Sequence, residues 1–347
     1  MKAYQLYRQR FYLSMTAWEV INNDATIFIT KKKPSFAGMI NLILEMYMDN
    51  SDAAIENAIL RRKNYLKEQL AGYSDEEAKE EVVNILTAKY VEELREKIAT
   101  YPCDINKSSS LTEENYEIAQ KWQDKYSCYG NSVAKFFKAV IEEYARKPYY
   151  EREGIILRKT IDELERCTEK HQLIRLTLKD GRQYDVRPYM ICHDSDYNYH
   201  YLTGMSKKTG TDNVEKATPF RISGIKSIRR MHEPSGRIKK IEAVEIEQKL
   251  QNSGAQFLLD EQESIVVRLT PKGKKDYETQ LHLRPRFIER EQVQDGSWKY
   301  TFNCTQRQAE YYFYKFGSDA IIEQPPKLRD KFMCRYEAAL TVYKNNT

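Results

Sequence analysis

The sequence predicts an α+β protein of several domains: a helical module led by short strands, a small five-stranded barrel, and a closing layer of strands and helices. Three observations carry this. Apolar residues recur at helical spacing through the first 150 residues, at strand spacing between 172 and 231, and at both periods after 240. At 347 residues the chain also exceeds one ordinary core. The boundaries fall where the period changes, giving residues 1–150, 151–240 and 241–347.

In "RQRFYLSM" Phe11, Leu13 and Met15 alternate with Arg10, Tyr12 and Ser14, the pattern of a half-buried strand. Thr16 is placed to cap a following helix that bears Trp18, Ile21 and Ile27. "TKKKPS" then makes a turn, because proline is excluded from a helix interior and Ser35 offers a second cap. Met39, Ile40, Ile43, Leu44 and Tyr47 follow at helical spacing.

The pattern repeats. Leu111 and Thr112 sit like Met15 and Thr16, and Phe136, Phe137, Val140, Ile141 and Tyr144 sit like the helix ending at Tyr47, at an offset of 96 to 97 residues. The halves cover about 9–57 and 104–148, joined by the helical stretch "SDEEAKEEVVNILTAKYVEELREKI". Neither half can bury its apolar face alone, so the two are expected to pair. The second strand, "NKSSS", lacks alternating apolar residues and is expected to pair weakly or not at all.

Short strand, helix, turn, helix resembles a ribbon-helix-helix half-unit. The resemblance implies that outward side chains of paired strands, here Arg10, Tyr12 and Ser14, enter a nucleic-acid groove. It also implies that Ser35 and its neighbouring amides hold a phosphate at a helix start.

After the helix "RKTIDELERCTEK" come "QLIRLTL", "QYDVRPYMI", "YNYHYLTGM", "ATPFRI" and "IKSIRRM", five short strands that suit a barrel. "VRPY", then "HYL", then "FRISGI" resemble a WYL domain, an Sm-like barrel that binds single-stranded nucleic acid or nucleotide-type ligands. His200 stands at the family's tryptophan position, Tyr201 and Leu202 match, and Arg221 matches the first arginine of the closing motif. Gly224 stands where a second arginine is common. The likeness covers about residues 155 to 232.

Strand parity orients these residues. With Leu202, Val186, Met190, Phe220 and Ile222 inward, Tyr199 and Tyr201 point outward with Arg187, Tyr189 and Arg221. Two guanidinium groups and adjacent rings suit a single strand, the cations holding phosphate and the rings stacking on bases. The reading left open beside this one is that the tyrosines pack against a helix from elsewhere in the chain. Lys31, Lys32, Lys33, Lys207 and Lys208 are either further phosphate contacts or solvated loop charges.

From 241 onward a helix precedes a strand-helix-strand-strand-helix-strand order and a closing helix, which suggests a ferredoxin-like layer. "YYFYKFG" and "PPKLRDKF" resemble the C-terminal extension of WYL proteins, which implies oligomerisation. Tyr311, Tyr312, Phe313, Tyr314 and Phe316 look too many for one helix to bury, so a homodimer surface is expected.

Charge points the same way. The formal net charge is +5, yet residues 170–240 alone carry 15 basic against 7 acidic side chains, while residues 51–150 carry 15 against 18. A local positive excess larger than that of the whole chain suits an anionic partner, and 26 tyrosines supply stacking surface. No apolar run approaches the roughly 20 residues of a membrane span and no apolar leader follows Met1, so a cytoplasmic protein without a membrane partner is expected.

The six cysteines share no metal-ligand spacing with the five histidines, and no cofactor, phosphate-loop or nucleophile motif occurs. Neither a metal nor a cofactor is expected, nor catalysis. The spacing of Arg166 and His171 is that of some metal-independent ribonucleases, but it is short and common. Cys192 and His193 are neighbours on a strand, so they face opposite ways. Taken together, the modules resemble the WYL-domain accessory proteins of type VI-D CRISPR loci. That implies binding of single-stranded RNA (or DNA) and modulation of an RNA-guided ribonuclease. The rival class is a DNA-binding transcription regulator that senses a ligand through its WYL domain.

Overall fold

A computed structural model describes residues 7–29, 33–121, 129, 132–194, 198–211 and 214–345. The chain divides into two compact units between Lys159 and Thr160. Unit 1 runs β1 (Tyr7–Leu13), α1 (Met15–Phe28), α2 (Phe36–Tyr47), α3 (Ile55–Gln69), α4 (Glu76–Ala99), β2 (Ile105–Leu111), α5 (Glu113–Lys121), α6 (Val133–Arg146) and α7 (Tyr149–Ile156).

The residues picked out by helical spacing form its core. Met39, Ile40, Ile43, Leu44 and Tyr47 of α2 are buried with Phe136, Phe137, Val140, Ile141 and Tyr144 of α6. Ser35 caps α2 through Gly38 N, as its position predicts. The first cap differs from expectation: the strand stops at Leu13, Ser14 rather than Thr16 accepts the Ala17 amide, and Met15 is 48% exposed. Ser14 has the extended backbone of an N-cap, so the helix begins two residues sooner.

β1 and β2 pair antiparallel over all seven residues of each, from Tyr7 opposite Leu111 to Leu13 opposite Ile105. The expectation of weak or absent pairing is corrected. A ribbon is held by its backbone ladder, which serine supplies as well as valine. Side chains at the flanks add to it: Leu111 is buried and the Tyr7 ring stacks on Tyr116 of α5 at 4.0 Å.

Each strand-to-helix junction is fastened by the second helix of the other half. Ser14 donates its N–H (2.5 Å) and Oγ (2.9 Å) to the Glu142 carboxylate, and Thr112 N–H donates to Asn41 Oδ1 (2.8 Å). The bridging helix α4 lies as predicted. α3 was not anticipated, since Ala58 and Leu66 alone of its residues are buried and leave too faint a period.

α8 (Arg158–Glu169) spans the unit boundary and leads into unit 2. There β3 (Gln172–Leu178), β4 (Gln183–His193), β5 (His200–Lys208), β6 (Lys216–Arg221) and β7 (Ile225–Ser235) form a five-stranded antiparallel sheet in the order β6-β5-β4-β3-β7. All five expected strands are present. Among the described residues no pairing joins the edge strands β6 and β7, so the sheet is open in its hydrogen bonding and no closed barrel is seen.

α9 (Lys240–Ser253) follows, then β8 (Gln262–Leu269), α10 (Pro271–Thr279), β9 (Phe287–Gln292), β10 (Trp298–Thr305), α11 (Gln306–Phe313), β11 (Ala320–Gln324) and α12 (Pro326–Asn345). Their strands form a second antiparallel sheet, ordered β11-β8-β10-β9, with the element order read from the sequence.

The aromatic run does not need a second chain to bury it. Tyr312, Phe313 and Phe316 lie in the core of this layer, and Tyr314 stacks on Tyr336 at 4.8 Å. Tyr311, 59% exposed, is the ring left outside. α11 and the turn after it wrap between the sheet and α12, so rings on several sides of one helix all find neighbours. These rings therefore give no ground for a homodimer surface. Among the described residues no helix is long and apolar enough to cross a membrane.

Candidate functional site

The outward face of the five-stranded sheet carries the residues of interest, and its two ends differ. At one end Tyr201 of β5 lies directly opposite Arg221 of β6. Leu202, Phe220 and Ile222 are buried, as parity predicts, which leaves Tyr201 and Arg221 on the other side. The Arg221 guanidinium carbon sits 3.5 Å from the ring centroid of Tyr199, just ahead of β5. Beside them His200 and His193, cross-strand partners, hold their rings edge to face at 4.5 Å. Tyr197, the first ring of the "YNYHYLTGM" face, lies outside the described residues.

At the other end the expected convergence does not occur. Arg187 lies opposite Met205, four residues along β5 from the Tyr201–Arg221 pair, or about 13 Å. Its guanidinium is already engaged. Nη2 donates to Glu215 Oε2 (2.6 Å) and Glu242 Oε1 (2.7 Å), and Nη1 donates to Glu242 Oε2 (2.9 Å) and the Arg237 carbonyl (2.9 Å). The side chain is only 11% exposed. Hydrogen bonds donated to Glu242, outweighing the opposing effect of burial, raise the Arg187 pKa further above its usual range.

Tyr189 donates its hydroxyl to Glu247 Oε1 at 2.5 Å. That bond, then burial, then the Glu247 charge push its pKa up. Glu242 and Glu247 both belong to α9, which packs Ile246 and Leu250 with Met205 and Ala217 of the sheet. Of the two readings left open for the rings, packing against a helix holds for Tyr189. Arg187 and Tyr189 thus fasten α9 to the sheet.

The departure from strict alternation along β4 is local. A bulge interrupts the β4–β5 ladder between Pro188 and Met190, so the alternation that makes Val186 inward is reset, and Met190 is 37% exposed instead of buried. Gly204 opposite the bulge lets the strands approach: a Cβ there would lie 2.2 Å from the Arg187 carbonyl oxygen.

The two lysines of β5 stand apart from the Tyr201–Arg221 pair. Lys207 and Lys208 are exposed at the far end of β5, six or more residues, about 20 Å, from Tyr201. Lys33 is exposed beside the start of α2, and Lys31 and Lys32 lie outside the described residues.

On the ribbon Arg10 and Tyr12 are exposed as expected, whereas Ser14 is buried in its cap and its bonds to Glu142. Pairing adds residues that sequence reasoning missed. Arg8 faces Ser110, Arg10 faces Ser108 and Tyr12 faces Asn106 on one side of the ribbon. The signal for Arg8 was present, two residues before Arg10, but partners on β2 could be named only once the register was known.

Arg166 turns Nε back to the Asp162 carbonyl of its own helix (3.0 Å), and His171 occupies a turn with φ of 47°. Burial first, and the Asp194 charge second, push the Cys192 thiol up to about 11, which keeps it protonated.

No protein-family model matches the chain, and no curated protein matches it. A solved structure described as the crystal structure of a CRISPR Cas-related protein superposes with a TM-score of 0.74 at 22% identity, over 99% of this chain and 96% of that one. At that identity the likeness shows a shared fold. Proteasome accessory factor B/C of Arthrobacter aurescens overlays with a TM-score of 0.29 at 13% identity, over 99% of this chain and 51% of that one, too weak to argue from.

Proposed function

We propose that this protein is a non-catalytic accessory protein of a CRISPR system that binds unpaired RNA and modulates an RNA-guided ribonuclease of the type VI-D kind. The observation that carries this reading is the likeness, along nearly the full length of both chains, to a CRISPR Cas-related protein. In this reading the five-stranded sheet belongs to a WYL domain of Sm-like build, the last layer is its ferredoxin-like extension, and unit 1 is an internal ribbon-helix-helix pair.

The gathering of the Arg221 guanidinium with the rings of Tyr199 and Tyr201 supports this reading, since a cation and aromatic rings are the groups that suit a phosphate and a base. A titration of the purified protein against matched single-stranded RNA, single-stranded DNA and duplex DNA tests the proposal. It predicts tightest binding to single-stranded RNA.

One observation favours the rival reading, a DNA-binding transcription regulator. The ribbon is fully paired, with Arg8, Arg10 and Tyr12 turned outward from it. Duplex DNA bound more tightly than either single strand would establish that rival and remove the accessory role.

A further inference from the structure

Unit 1 contains a cavity of about 530 Å³ that shares Tyr12 alone with the candidate site residues considered above. The size lies within the range of about 300–1,000 Å³ typical of small-molecule sites. Three phenol rings line it, Tyr12, Tyr101 and Tyr129, with three cations, Arg95, Lys135 and Lys138. Among the described residues no carboxylate lines it, although residues 51–150 as a whole carry more acid than base.

The lining is built. Tyr129 is buried and fixed by its hydroxyl, which donates to the Ala53 carbonyl at 2.6 Å. Lys138 Nζ is anchored between the Tyr101 carbonyl and Cys103 Sγ, both at 2.7 Å. Burial pushes the Tyr101 hydroxyl up to about 12, so the aromatic wall stays uncharged near neutral pH. Arg95 and Lys135 are exposed and form no ion pair with a carboxylate among the described residues.

We infer that this cavity binds a mononucleotide, its planar base against the phenol rings and its phosphate on Arg95 and Lys135. Rings prefer offset or edge contacts with another aromatic body, and a phosphate takes charge-assisted bonds from guanidinium and ammonium together. A cavity walled only by rings would take neutral aromatics, and a merely cationic one would take inorganic phosphate. This one combines both. It does not rest on the proposed function, because Arg221, Tyr199 and Tyr201 belong to the other unit.

Cys103, exposed on the cavity wall, is a built-in reporter. The full chain is alkylated with iodoacetamide and labelling at Cys103 and at exposed Cys334 is followed separately by peptide mass. Parallel runs contain each of the four 5′-mononucleotides, adenosine, or inorganic phosphate. At least one mononucleotide should slow Cys103 about tenfold at saturation and leave Cys334 unchanged. Arg95→Gln with Lys135→Gln should raise the half-protecting concentration about tenfold or more, as expected for lost charge-assisted bonds. The inference is overturned if no mononucleotide protects, if adenosine or phosphate alone protects equally well, or if the folded double variant is protected at unchanged concentration.

Discussion

Arg187 and Glu242 form a two-pronged ion pair, with Nη1 on Oε2 at 2.9 Å and Nη2 on Oε1 at 2.7 Å. A strand residue that looks from its spacing like a ligand contact is thereby a clamp for α9. Arg187→Ala would strip Glu242 and Glu215 of the guanidinium they share on a largely covered surface. The expected cost is about 2–3 kcal/mol, less than for a fully buried pair because Glu215 is partly solvated. Urea unfolding of unit 2 measures it, and a loss under about 0.5 kcal/mol would contradict the clamp.

The same pair makes stability depend on pH. Hydrogen bonds from Arg187, opposed by burial and aided by the Lys239 amide, hold the Glu242 carboxyl below the usual carboxylate range. A depressed folded-state value means that the unfolded chain takes up the proton first. The contribution is therefore complete above the unfolded pKa of about 4.3 and is lost as pH falls through the folded value. Wild-type protein should be more stable than Glu242→Gln at pH 7, with the gap closing under acid. A gap that is constant from pH 7 to pH 3 would refute this.

Gly204→Ala should destabilise by about 2 kcal/mol or more, because its Cβ would strike the backbone carbonyl of Arg187 rather than a side chain that can swing away. Thermal unfolding tests it. A Tm within a degree of wild type would mean that the bulge relaxes freely.

Ser14→Ala removes both a cap and a bond to Glu142. A loss of about 1–2 kcal/mol is expected. Thr16→Ala, at the position the sequence favoured for the cap, should cost far less, and equal losses would restore Thr16 to that role.

The core of unit 1 was legible because burial imprints a helical period: Met39 to Tyr47 and Phe136 to Tyr144 are predicted and found. The partnership of β2 was not, since "NKSSS" is held through its backbone and leaves no side-chain signature. For the site, Tyr201, Arg221, Phe220 and Leu202 obey parity, whereas Met190 lies beyond a bulge that no alternation announces. The basic excess over 170–240 misled in a different way. That window ends at the first residue of α9, just short of Glu242 and Glu247, which neutralise Arg187 and fasten Tyr189. Counting charge along the chain cannot see which helix folds back over the patch.

Under the proposed function, the Arg221 end of the sheet, and not the Arg187 end, contacts unpaired RNA. The most direct measurement is the salt dependence of affinity for a single-stranded RNA in wild type and Arg221→Ala. Losing one phosphate contact should weaken binding and reduce the slope of log K against log salt by about 0.7. An Arg221→Ala protein, shown to be folded, that keeps both its affinity and its slope would contradict the claim.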